Sequence, residues 1–140
     1  MKVKIKLLYK DTKVPSYGRS GDAGLDLYSR EKVVLQPGQR HSFKLGFALE
    51  LPSDMVALMW DRSGMATKFG IHSMAGVIDS NYRGEVNVLL HNTSDQNYTI
   101  EVGDKIAQML IQKYQSAQLE VVDELPDSER GDKGWFSSGK

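Results

Sequence analysis

The sequence predicts an all-β domain: a distorted jelly-roll-like barrel or sandwich with one short helix and a flexible C-terminal arm. Three observations carry that prediction. Apolar and polar residues alternate with period two through much of the chain, as in Lys2–Leu7 and Arg40–Leu51. Turn signals such as Pro37-Gly38, Ser94–Asn97 and Gly103-Asp104 separate the candidate strands, at a spacing of roughly 8–12 residues. A single stretch, residues 61–70, has the composition of a helix.

Taken in order, Val3, Ile5 and Leu7 alternate with Lys2, Lys4 and Lys6, an edge strand with one wet face. Residues 11–24 are turn-rich and irregular. LDLYS (25–29) and KVVLQPG (32–38) follow as short strands, and RHSFKLGFALELP (40–52) alternates through Phe43, Leu45, Phe47 and Leu49 as another. MVALMW (55–60) is continuously apolar and predicts a strand buried on both faces. DRSGMATKFG (61–70) predicts the helix, with Ser63 as its cap. AGVIDSNYRGE (75–85) predicts a strand end turning into a hairpin at Asp79-Ser80-Asn81. EVNVLLHN, YTIEV, KIAQMLIQKY and QLEVVDEL complete the strand pattern. The last 14 residues, DSERGDKGWFSSGK, change character to glycine, serine and mixed charge around Trp135-Phe136. The organisation is therefore a β core over 1–126 and an arm over 127–140.

Composition narrows the function. The chain has 140 residues, 40% of them hydrophobic, enough for one domain with a real core. Lys+Arg and Asp+Glu both number 18, which argues against a general nucleic-acid binder and leaves a local phosphate site open. There is no cysteine, so disulfides, thiolate metal sites and cysteine nucleophiles are excluded. No apolar run approaches the roughly 20 residues of a membrane helix, and the N-terminus lacks a signal-peptide core. The expectation is a soluble, cytoplasmic domain with no membrane partner.

Several polar clusters stand out from the strand pattern. Asp26 alternates with Leu25 and Leu27 and so should face outward, either as a solvated strand carboxylate or as a group ordering metal-bound water. Arg62, Ser63 and Gly64 sit at a strand-to-helix junction, where free backbone N–H groups, a guanidinium and a residue without a side chain suit an anion as well as an ordinary cap. Asp79 and Tyr82 lie at one turn. Gln108 stands in an apolar strand and needs a partner, structural or ligand. The arm carries Arg130, two serines and a ring pair, suited to folding over a phosphorylated ligand with a base.

The order and content of these clusters resemble the trimeric deoxyuridine triphosphate nucleotidohydrolases (dUTPases) from residue 22 to the C-terminus. Five motifs occur in the family's order: AGLDLYS (23–29), RSGMA (62–66), GVIDSNYRGE (76–85), GDKIAQ (103–108) and RGDKGWFSSG (130–139). The resemblance implies a jelly-roll-like homotrimer whose three active sites are each assembled from three subunits. It implies hydrolysis of dUTP to dUMP and pyrophosphate, which limits uracil in DNA and supplies dUMP for dTMP synthesis. Asp79 would activate the water that attacks the α-phosphate, and Tyr82 would pack under the deoxyribose and exclude a 2′-hydroxyl. The hairpin FGIHSMAGVID would read uracil mainly through its backbone, making Met74, Gly76, Val77 and Ile78 substrate-binding positions and leaving His72 outside the chemistry. Arg62, Ser63, Gly64 and Gln108 would bind phosphates. Asp26 would orient waters on a Mg²⁺ that the triphosphate itself chelates. Arg130, Ser137 and Ser138 would close on the γ-phosphate, and Trp135 or Phe136 would stack on the base.

Three positions depart from the family pattern. Asp61 replaces the usual proline, Lys105 the common arginine, and Trp135-Phe136 the usual Phe-Gly. The related dCTP deaminases share the fold, but deamination needs a further acid/base group near the base. A dUTP-sensing regulatory protein would use the same motifs without turnover.

Overall fold

A computed structural model describes residues 1–132. Among them the chain forms β1 (Lys4–Leu7), β2 (Ser16–Tyr17), β3 (Leu25–Tyr28), β4 (Val33–Leu35), β5 (Arg40–Lys44), β6 (Phe47–Glu50), β7 (Met55–Trp60), α1 (Ser63–Phe69), β8 (Ile71–Met74), β9 (Val77–Ile78), β10 (Asn87–Asn92), β11 (Tyr98–Ile100) and β12 (Lys105–Lys113). Every pairing is antiparallel, in sheets ordered β1-β6, β5-β10-β8, β11-β4 and β2-β3-β12-β7-β9. The all-β, jelly-roll-like architecture read from the sequence is the one observed.

The period-two pattern explains the layering, because alternate residues of each strand point into one shared core. Leu27, Leu35, Phe43, Phe47, Leu49, Met59, Ile71, Val88, Leu90, Ile100, Ile106 and Met109 belong to one buried cluster drawn from all four sheets. Full burial of such a side chain is worth about 1.5–3 kcal/mol, so the scaffold carrying the loops does not depend on their conformation. Buried Asn92 joins two loops to it, donating to the Leu35 and Gln96 carbonyls at 2.9 and 2.7 Å and accepting from Ser94.

The alternating run from Arg40 to Leu51 is not one strand but two. Gly46 has φ +79°, a conformation glycine adopts at no steric cost, and here the chain changes sheet. β5 pairs with β10 and β6 with β1. The Gly46 N–H, freed from a ladder, donates to the Glu85 carboxylate at 2.9 Å.

Other expectations need correction. The apolar side of β1 is not covered: Ile5 and Leu7 are both exposed, because among the described residues β1 pairs only with β6, which itself buries Phe47, Ala48 and Leu49, and Lys4 pairs with Glu50. β7 buries Val56, Ala57 and Met59, whereas Leu58 and Trp60 face clefts. Ser63 does not cap α1. It is the first helical residue, Arg62 is the cap residue, and the helix start has no side-chain capping hydrogen bond. β8 and β9 do not form a hairpin with each other, since β8 pairs with β10 and β9 with β7, nor does β9 form one with β10. Ala75 (φ +61°) and Gly76 (φ +119°) carry the chain between the two sheets. The Gly76 carbonyl accepts from Met59 N–H at 2.8 Å, and an added Cβ at residue 76 would meet Met59 at 2.9 Å. QLEVVDEL is not a strand. Beyond β12 no strand occurs among the described residues, and Leu119 and Val121 are 90% and 97% exposed, because no strand edge among the described residues pairs with the segment.

Candidate active site

A groove of about 1030 Å³ opens where β3, β7, α1 and β12 meet. Four cations line it, Arg19, Arg62, Lys68 and Lys105, against the carboxylates Asp22, Asp26 and Asp61. At its centre the Arg62 guanidinium donates to Asp26 Oδ1 at 2.6 Å and the Lys105 ammonium to Asp26 Oδ2 at 2.6 Å. Asp26 is therefore not a solvated strand carboxylate; its side chain is 14% exposed and holds two cations. The reason is tertiary. β12 pairs beside β3 in the order that places Gln108 opposite Asp26, and β7 delivers Arg62 from the other side.

Gly64 has open space above its backbone, and the N–H groups of the first helical turn have no intrahelical acceptor. Gln108 has a structural partner: its Nε2 donates to the Asp61 carbonyl at 2.8 Å, leaving a second amide hydrogen for a ligand. Gly24 is required beside it, because a Cβ at residue 24 would lie 2.5 Å from Gln108 Oε1.

Asp61 lies on the groove wall with its carboxylate turned toward β8. Oδ1 accepts from the Ser73 N–H and hydroxyl, each at 2.5 Å, and Oδ2 bonds His72 Nδ1 at 2.7 Å. Burial pushes this carboxyl upward, but the Ser73 hydroxyl, His72 and the Ser73 N–H bonding its charged form outweigh burial and hold it below its ordinary value of 3.8. A carboxyl lowered on folding stabilises the fold above its unfolded value and loses that contribution as pH falls through the folded one. The stability advantage of the unaltered protein over Asp61→Asn is therefore expected to be full at neutral pH and to shrink below about pH 4, as read by urea unfolding across pH. An advantage constant down to pH 2 would show that the charge contributes nothing.

The second cluster is built on β9. A smaller pocket of about 220 Å³ is lined by Ala75–Asp79, Tyr82, Glu85 and Asn87. The Tyr82 N–H donates to the Asp79 carbonyl at 3.1 Å, closing the turn, and Arg83 folds back on the Ser80 and Tyr82 carbonyls at 2.7 and 2.9 Å. Tyr82 Oη donates to the Glu85 carbonyl at 3.0 Å, and the ring crosses Gly84 so closely that a Cβ there would collide with it. The Asp79 side chain is exposed and makes no hydrogen bond or ion pair among the described residues.

The predicted residues thus fall into two sets. Asp26, Arg62, Ser63, Gly64 and Gln108 share the groove, whereas Gly76, Val77, Ile78, Asp79 and Tyr82 share the pocket. The two cavities have no lining residue in common. A third cleft, lined by Leu58–Asp61 and His72–Val77 and including Met74, runs between them. Arg130 lies in an exposed turn at Ser128–Gly131. Trp135, Phe136, Ser137 and Ser138 lie outside the described residues.

A family model described as dUTPase matches residues 10–139. The chain belongs to the dUTPase family. A Clostridium tetani deoxyuridine 5′-triphosphate nucleotidohydrolase is 41% identical over 140 residues, covering 99% of this chain and 97% of that one. A mutant dUTPase of Staphylococcus bacteriophage 80alpha, solved with dUpNHpp, superposes with TM-score 0.89 at 29% identity, covering 99% of each chain. A mutant dUTPase of S. aureus phage phi11, in which a structural Mg(II) ion is coordinated, superposes with TM-score 0.83 at 25% identity, covering 91% of this chain and 100% of that one.

Within this dUTPase-family fold, sequence reasoning missed several groove and pocket residues. Arg19 and Lys68 carried no motif signal and enter the groove only through the fold. Lys105 was noted as a substitution but not assigned a role, and Gly24, Glu85 and Asn87 lay inside or beside motifs as apparent spacers. The donor set also limits what kind of metal site is possible. Among the described residues no group of three or more His, Asp or Glu could hold a metal ion. One carboxylate already paired on both oxygens fits a water-mediated contact to a cation carried by a ligand, not a protein cage. Among the described residues no helix is long and apolar enough to cross a membrane.

Proposed function

We propose that the protein is a dUTP diphosphatase that hydrolyses dUTP to dUMP and pyrophosphate, working as a homotrimer whose sites combine the groove of one subunit with the β9 pocket of another. The observation that carries this reading is the convergence of Arg62 and Lys105 on one point of a cation-rich groove in a chain of this family. Two cations held about one carboxylate form a preorganised anion receptor, and a polyphosphate of about four negative charges is opposite to those cations in sign.

Each residue then has a task. Arg62, Lys105, the Ser63 hydroxyl, the backbone at Gly64 and the spare Gln108 amide hydrogen bind phosphate oxygens. Asp79 takes a proton from water as that oxygen bonds to the α-phosphorus. The bond from that phosphorus to the bridging oxygen breaks, and pyrophosphate leaves with the electron pair. The unengaged Asp79 carboxylate supports a base free to accept that proton. Tyr82, fixed across Gly84, packs under the deoxyribose and rejects a 2′-hydroxyl by contact. Backbone groups of Met74 and Gly76–Ile78 read uracil. Asp26 is the residue that would orient waters on a Mg²⁺ brought in with the triphosphate, which would supply charge neutralisation. Residues 127–140 act as an arm in which Arg130, Ser137 and Ser138 meet the γ-phosphate and Trp135 or Phe136 covers the base. The separation of groove and pocket in one chain supports a site shared between subunits.

A panel of dUTP, dTTP, dCTP and UTP, with and without Mg²⁺, tests the reading. Pyrophosphate release from dUTP is expected to exceed that from the others by about 10²-fold or more and to fall on chelation. Ammonia released from dCTP would instead make the protein a deaminase. Tight dUTP binding with no pyrophosphate would make it a nucleotide sensor.

A further inference from the structure

We propose that Asp61 is a positioning residue that locks the anion groove to β8, setting the affinity of the groove for polyphosphate without taking part in the chemistry. This rests on the dUTP reading above for its substrate but on separate geometry for its mechanism.

Asp61 stands at a boundary. It lines both the cation-rich groove and the cleft formed by Leu58–Asp61 and His72–Val77. Its side chain faces one way and its main chain the other. The carboxylate collects three bonds from β8: the Ser73 N–H, the Ser73 hydroxyl and His72 Nδ1. Its carbonyl receives the Gln108 amide from β12. The next residue is Arg62, whose guanidinium is held by Asp26 of β3. One residue therefore ties the end of β7 to β8 and β12, and its chain neighbour continues the link to β3.

The bonds are of a kind that positions. Three donors on one carboxylate define its orientation, and charge-assisted bonds are shorter and stronger than neutral ones. The family usually places proline here, which restricts the main chain through its ring. In this chain the restriction comes from the side chain instead, and Ser73 and His72 are the residues that make it effective. The segment held by Asp61 also leads, through Met74 and Ala75, into Gly76 and the β9 pocket. The clamp thus lies between the groove and the pocket of one chain, each of which serves a different nucleotide in the shared sites proposed above.

The test compares four variants of the full-length protein. Asp61→Ala removes every carboxylate bond. Asp61→Asn keeps an acceptor for Ser73 and can donate to an unprotonated His72 Nδ1. Ser73→Ala removes one of the three bonds. Asp54→Ala breaks a surface pair with Lys113 at 3.2 Å, remote from the groove, and serves as control. Steady-state dUTP turnover and calorimetric affinity for inorganic tripolyphosphate are measured for each.

Asp61→Ala is expected to raise KM for dUTP and Kd for tripolyphosphate about tenfold, with kcat changing less than about twofold. Ser73→Ala should fall between it and the unaltered protein, and both Asp61→Asn and Asp54→Ala should stay near the unaltered value. Unchanged KM and Kd with only a lowered melting temperature would reduce Asp61 to a stabilising contact and overturn the proposal. A loss confined to kcat would overturn it as well, and so would an Asp61→Asn variant as defective as Asp61→Ala, which would make charge rather than geometry decisive. The tripolyphosphate titration needs no turnover, so failure of the dUTP reading would appear as an inactive unaltered protein while the clamp is still judged by Kd.

Discussion

Asp79→Asn is expected to bind dUTP within about threefold of the unaltered protein while its kcat falls by about 10²–10⁴. Asparagine has the shape of aspartate but cannot accept a proton at neutral pH. The fold gives no reason for a structural penalty. Asp79 is exposed at the end of β9, and among the described residues its carboxylate has no hydrogen-bond or salt-bridge partner to strand. The turn is closed by its backbone carbonyl and by Arg83, which the substitution leaves intact. A change in stability of under about 0.5 kcal/mol is therefore expected, as for an exposed position of this kind. Single-turnover release of pyrophosphate, with dUTP affinity measured alongside by calorimetry, separates base from binding. Turnover near that of the unaltered protein would remove Asp79 from its role and leave water activation to another group.

Removing residues 130–140 is expected to lower kcat/KM for dUTP by at least about 10²-fold, with melting temperature and oligomeric state unchanged. The physical ground is a division of labour along the chain. The last ladder ends at Lys113, and the buried cluster takes its members from Leu27 to Met109. The truncation leaves that core complete. What it removes is Arg130, two serines and the ring pair, groups that the proposed mechanism uses to cover the triphosphate, exclude water and order the reacting phosphates. Sedimentation and thermal melting of the truncated protein supply the control. Full activity in it would end the case for a closing arm.

The sequence was most legible where one physical rule acts locally. Period-two alternation placed β3, β4, β10, β11 and β12, because the side-chain period of a strand is a property of the backbone and needs no partner to be seen. It failed where two ladders share one pattern. Phe43, Leu45, Phe47 and Leu49 keep their alternation straight through the Gly46 bend, since both flanking strands face the same core. QLEVVDEL failed for the opposite reason: it has strand propensity, but a strand also needs an edge, and no edge among the described residues takes it.

By itself, then, the sequence determined the all-β class, a single helix within residues 61–70, the family through five ordered motifs, and which residue types carry the proposed chemistry. Tertiary structure alone decided their partners. It placed Asp26 between Arg62 and Lys105, brought Arg19 and Lys68 into the groove, gave Gln108 to the Asp61 carbonyl, and turned the Asp61 carboxylate onto Ser73 and His72. Asp26 and Lys105 are 79 positions apart, and Asp26 and Arg62 are 36 apart. Periodicity reports the face on which a residue lies, but only strand order and register determine which charge from a distant strand arrives beside it.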